Sequence, residues 1–105
     1  MDKINPSDFS QLIEAVLIWT GWGRSIVPQR NDILLVNNFG AETASKLKPI
    51  IKSLEDEFYS SEARNIAANL EEMGKMAAEQ FKSKHPEIPD QIVQAFAWCY
   101  TYDYK

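Results

Sequence analysis

With 105 residues, 45 % of them apolar and 25 % charged, the chain has the composition of an ordinary globular protein and length for one modest core. Its net charge of −4, with no basic stripe, disfavours nucleic acid and anionic membrane surfaces and leaves a basic protein partner open. The acidic surplus is shared along the chain: residues 1–59 hold 8 acids and 6 bases, and residues 60–105 hold 7 and 5.

The opening Met1-Asp2-Lys3-Ile4-Asn5-Pro6 lacks the basic region of a signal peptide. The first apolar run, 12–19, is broken by Glu14, and nothing reaches the roughly 20 apolar residues of a membrane span. A cytoplasmic protein is expected. Asn5 caps a first helix and Pro6 begins it, because a proline at the first helical position forfeits no hydrogen bond. Phe9, Leu12, Ile13, Val16 and Leu17 keep helical period, and Gly21 ends the helix, which is expected over 6–20. Glu14 lies among apolar neighbours, but helical spacing points it outward.

Residues 21–28 read as a loop in which Trp22 stands between two glycines. Its first reading is a plug folded back over the core; its second is an exposed aromatic anchor for a partner. The run Ile33-Leu34-Leu35-Val36, flanked by asparagines and Asp32, fits a short helix over 31–38 or one arm of a small β-hairpin near 24–37. Helices on either side favour the former. After Gly40 a helix is expected over 41–59, kinked near Leu47–Pro49, with Leu47, Ile50, Ile51, Leu54 and Phe58 on its apolar face. Glu55, Asp56 and Glu57 are expected on the wet side.

Residues 60–84 lie within the longest proline-free run, 50–85. Ala63, Ile66, Ala67, Leu70, Met73, Ala77 and Phe81 recur at spacings of three and four, so one long central helix is expected. Ser60 or Ser61 would cap it, and Lys82, Lys84 and His85-Pro86 would close it. The short Ser60-Ser61 link implies an antiparallel hairpin with the preceding helix. Residues 86–90 make a rigid turn, and Pro89 opens a last helix. Ile92, Val93, Phe96, Ala97, Cys99 and Tyr100, with Trp98 beside them, make it apolar on most of its circumference. Such a helix should be wedged between others. Tyr100, Tyr102 and Tyr104 belong to a frayed tail or to a further helical turn. The whole reads as one all-α domain, 1–105, a bundle of about five helices.

No residue pattern carries catalysis, a cofactor or a metal. His85, the sole histidine, suits the negative end of a helix, and it lies on a different element from Cys99. Cys99 cannot form an internal disulfide and reads as a small core residue. Together the two fall short of the three or four ligands of a zinc site. The remaining features are acidic stretches and aromatic residues on a helical scaffold. Glu55-Asp56-Glu57 with Tyr59 form the first candidate partner-binding group, Glu71 with Glu72 form the second, and Trp22 is a separate aromatic candidate.

In its size, helical pattern and acidic stretches such as Glu55-Asp56-Glu57 and Glu71-Glu72, the chain resembles the small acidic helical immunity proteins that bacteria pair with secreted nuclease toxins, as in contact-dependent growth inhibition and colicin systems. The resemblance is one of general character, matches no diagnostic motif and carries over no family residue. It implies a non-enzymatic inhibitor that covers the active site or substrate groove of a cognate toxin. A helical adaptor or homo-oligomerising module is the alternative, and a small enzyme comes last.

Overall fold

The computed structural model describes residues 9–104. Six helical segments follow one another: α1 (Phe9–Thr20), α2 (Asp32–Phe39), α3 (Ala41–Tyr59), α4 (Ala63–Ile66), α5 (Leu70–Lys84) and α6 (Asp90–Asp103). There is no strand among the described residues, so the segment near 24–37 makes no hairpin. Among the described residues no helix is long and apolar enough to cross a membrane. The expected cap at Asn5-Pro6 lies outside the described residues.

Local chemistry accounts for the first three helices. Gly21, at φ +84°, donates its N–H to the Leu17 carbonyl at 2.9 Å and turns the chain out of α1. Asn31 caps α2 by accepting from the Ile33 N–H at 2.9 Å. Only Leu35 of α2 is buried; Ile33 and Val36 face solvent. Gly40, also at positive φ, separates α2 from α3, and α3 continues through Pro49.

The central element is α6. Ile92, Val93, Ala95, Phe96, Cys99 and Tyr100 are fully buried, and the helix packs on α1, α3 and α5. Its last turns include Tyr100 and Tyr102, and Tyr104 follows as the C-cap, its N–H donating to the Tyr100 carbonyl at 3.1 Å. Phe58 of α3 joins this core with ring centroids 5.4 Å from Phe81, 6.0 Å from Phe96 and 5.8 Å from Tyr100. Rings packed at such tilted angles and distances add to the stabilisation from area burial alone.

Residues 60–84 depart from expectation in two ways. They are not one helix. Asn69 starts α5 by accepting from the Glu72 N–H at 2.8 Å, and the Glu72 carboxylate reaches back to the Ala68 N–H at 3.3 Å. This reciprocal arrangement is close to a capping box. Upstream, the Tyr100 hydroxyl accepts from the Arg64 N–H and donates to the Ser61 carbonyl, both at 3.0 Å, which pins the single turn of α4 to α6. The break at 67–69 resets the helical phase. Ile66 and Leu70 therefore lose the buried face and are 63 % and 45 % exposed, while Met73, Ala77 and Phe81 keep it.

Nor do α3 and α5 form the expected antiparallel hairpin. Their C-terminal ends meet, with Phe58 on Phe81 and Glu57 3.5 Å from His85. Ser61 lies beside Gln80 at 2.5 Å. The chain must then cover the length from Gln80 back to Leu70, about 15 Å at helical rise, before α5 begins. Residues 62–69 make that journey. The antiparallel partner of α5 is instead α6: Gly74 lies against Thr101, and Lys82 pairs with Asp90 at 2.6 Å.

Candidate functional site

Of the seven residues singled out in sequence, two join an ionic cluster within the chain, two line an open groove, and three lie elsewhere on the surface. Glu55 and Tyr59 belong to the first. Glu55 sits one residue past Leu54 and one turn past Ile51, at the margin of the buried face of α3, and is 6 % exposed. This corrects its expected place on the wet side. Arg30 crosses from the loop before α2 and explains the burial. Its Nε donates to Glu55 Oε2 at 2.9 Å, and its Nη2 donates to Tyr59 Oη at 2.6 Å and Asp103 Oδ2 at 2.8 Å. Tyr59 Oη donates onward to Asp103 at 2.5 Å, and Lys52 Nζ lies 3.1 Å from Glu55 Oε1.

Burial, and then the hydrogen bond to Asp103, hold the Tyr59 phenol well above its ordinary range. Burial alone would pull the Arg30 guanidinium down, but its bonds to Asp103 and Glu55 outweigh that, so it stays charged. Each charge in the cluster meets an opposite charge. This arrangement joins the loop before α2 to the ends of α3 and α6, and Glu55 and Tyr59 leave the candidate partner surface.

Asp56 and Glu57 are exposed as expected. Glu57 faces His85 Nε2 at 3.5 Å, and His85 Nδ1 is 3.8 Å from Glu87. His85 caps the end of α5 and packs on the Phe81 ring at 5.0 Å. Cys99 is fully buried, and burial pushes its thiol up to about 12, away from a reactive thiolate. Among the described residues no three His, Cys, Asp or Glu side chains gather as a metal site would require.

Trp22 and Glu71, far apart in sequence, come together. Both line an open groove of about 700 Å³ that runs along α5 and α6. Gly74, Ala78 and Ala97 are among its lining residues, and their small size lets the two helices approach. Trp22, Trp98 and Tyr102 bring aromatic rings to it, and Leu70 adds apolar surface. Glu71, Glu79, Lys75 and Lys82 bring charge. Lys82 is held by Asp90, whereas Glu71 and Glu79 make no ion pair with the described residues. Glu72, the neighbour of Glu71, is occupied as a cap on Ala68.

The turn after α1 sets Trp22 in place. The Arg24 and Ser25 N–H groups donate to the Gly21 carbonyl at 2.9 and 2.8 Å, and the Trp22 N–H donates to Thr20 Oγ1 at 3.3 Å. Trp22 is half-buried against the margin of the core, so it covers core and borders the groove at once. Sequence reasoning did not place Trp98 in a site. Its spacing of four from Tyr102 puts both on one side of α6, the signal that could have found them. Arg30 left no comparable signal.

No protein-family model matches the chain, and neither a curated protein nor a solved structure matches it.

Proposed function

We propose that the chain is a non-enzymatic protein-binding inhibitor, an immunity protein that neutralises a cognate bacterial nuclease toxin in the cytoplasm. The observation that carries this reading is the α5–α6 groove, which combines partly exposed tryptophans with carboxylates that make no ion pair among the described residues. Aromatic anchors within a polar, charged margin are the composition of a protein-binding surface. A nuclease must present Lys and Arg to the phosphate backbone of its substrate, and such a surface is attracted to an acidic inhibitor. The net charge of −4 and the exposed Asp56, Glu57, Glu62, Glu71 and Glu72 support that attraction.

Co-expression tests the proposal. The gene directly upstream in the native genome, expressed alone in a heterologous bacterium, should arrest growth. Co-expression of this chain should restore it. Growth arrest that persists with both proteins soluble, or an upstream product with no toxicity, contradicts the proposal.

A second reading, a homo-oligomerising helical module, draws on a different surface. Ile33 and Val36 lie three apart on the exposed side of α2, and Ile26 in the preceding loop is 93 % exposed. Self-association through this surface would appear as a solution mass that rises with concentration and returns to the monomer in Ile33→Asp.

A further inference from the structure

We infer that the α5–α6 groove seats an arginine side chain of the basic partner, stacked on the indoles of Trp22 and Trp98 with Glu71 as its counter-charge; this rests on the binding reading above. The two indoles arrive from separate parts of the chain, Trp22 from the turn after α1 and Trp98 from α6, and neither is fully buried. Aromatic faces bordering water attract a cation, and a planar guanidinium can stack on a ring while donating to a carboxylate. Glu71 supplies that carboxylate from the first turn of α5.

The other charges bordering the groove are of both signs, and the balance with Glu71 is negative once Asp90 is set against Lys82. Glu79 adds a second carboxylate without an ion pair among the described residues, Lys75 adds one cation, and Lys82 is matched by Asp90 at 2.6 Å. One negative charge is left over. A purely apolar occupant would take water from Glu71 and Glu79 and give nothing in return. An acidic occupant would be repelled. A lysine would bring charge, but its compact ammonium holds its water more tightly and stacks less well than a guanidinium.

The test uses the full chain labelled with nitrogen-15, in which the three tryptophans give separate indole N–H signals. N-acetyl-arginine amide is titrated in, with N-acetyl-citrulline amide as an uncharged probe of the same shape. The signals of Trp22 and Trp98 should shift with the arginine probe, while that of Trp19, 2 % exposed, stays in place. Citrulline should move none of them. Glu71→Gln, a change at an exposed side chain, should weaken the response about two- to fivefold. Equal shifts with both probes, or none at Trp22 and Trp98 up to about 100 mM, a range that reaches even very weak binding, overturn the inference. Restored growth in the co-expression assay without these shifts places the contact elsewhere and overturns this inference alone. The shifts without restored growth uphold the arginine seat and overturn the toxin-neutralising reading.

Discussion

Tyr59 and Asp103, the last residues of α3 and α6, are joined by a hydrogen bond of 2.5 Å, and one nitrogen of Arg30 donates to both. The same guanidinium binds Glu55 through Nε at 2.9 Å. Three distant parts of the chain are closed by one side chain. The 55–57 acidic run is thereby split, because Glu55 serves the interior and Asp56 and Glu57 face water.

Substitutions along that run should therefore differ. Glu55→Gln leaves Arg30 with only one of its two carboxylates, Asp103, and should cost about 1–3 kcal/mol, the penalty for a poorly matched buried polar group. Glu55→Lys, which sets a cation against Arg30 and Lys52, should cost more. Asp56→Lys and Glu57→Lys should each stay within about 0.5 kcal/mol, as surface changes do. Urea denaturation ranks the four. Equal costs for Glu55→Lys and Asp56→Lys would contradict the burial of Glu55.

The break at 67–69 makes a second comparison. Phe58 is 1 % exposed within the aromatic core, and Leu70 is 45 % exposed. Phe58→Ala should destabilise by about 3–5 kcal/mol, whereas Leu70→Ala should cost at most about 1 kcal/mol, because much of its surface stays wet. Were α4 and α5 one continuous helix with Leu70 in the core, denaturant melts would instead show a loss of about 2–5 kcal/mol for Leu70→Ala.

These cases also show which parts of the fold were legible in sequence. Asn31, Gly40 and Pro89 act on neighbouring residues, so the bounds of α2, α3 and α6 followed from local chemistry. The cap Asn69-Leu70-Glu71-Glu72 was equally local, but a periodic apolar pattern running through it suggested continuity. Periodicity registers spacing and cannot register that Tyr100, from α6, holds the backbone at Ser61 and Arg64. The burial of Glu55 depends on Arg30, which reaches it from another loop, and no pattern within α3 announces that. Trp22 and Glu71 each drew attention alone. Their meeting in one groove is a product of the way α5 and α6 pack.

Gly74 tests that packing. A Cβ built there would lie 2.9 Å from Thr101 Cγ2, and the Thr101 hydroxyl is tied to the Trp98 carbonyl at 3.0 Å. Glycine to alanine within a helix ordinarily gains about 1 kcal/mol. Here crowding should reverse the sign, with Gly74→Ala costing about 1–3 kcal/mol. Thr101→Ser removes the methyl, and in that background Gly74→Ala should become stabilising. Thermal melts of the four proteins read the coupling, and additive effects would contradict the close approach of α5 and α6.

Two weak acids, the buried Cys99 and the half-buried Tyr59, set the response to high pH. The Cys99 thiol is pushed up to about 12, and the Tyr59 phenol is raised above its ordinary range. In the unfolded chain both lose protons at lower pH than in the native state, so the unfolded state binds fewer protons there. Stability contributed by their neutral forms is complete below the unfolded thiol range, about pH 8.5, and falls as pH rises towards 12. Urea midpoints should decline over that window, and Cys99→Ala should make the decline shallower. A Cys99→Ala slope equal to that of the unsubstituted chain would show that the thiol ionises freely in the native state.

The most direct measurement of the inhibitor reading is the nuclease activity of the purified upstream gene product, titrated with this chain. The account predicts that cleavage falls to background at one equivalent, and that Glu71→Lys combined with Glu72→Lys slows association several-fold and flattens its dependence on salt, as loss of charge steering does. Cleavage that continues unchanged in the presence of excess folded chain would contradict it.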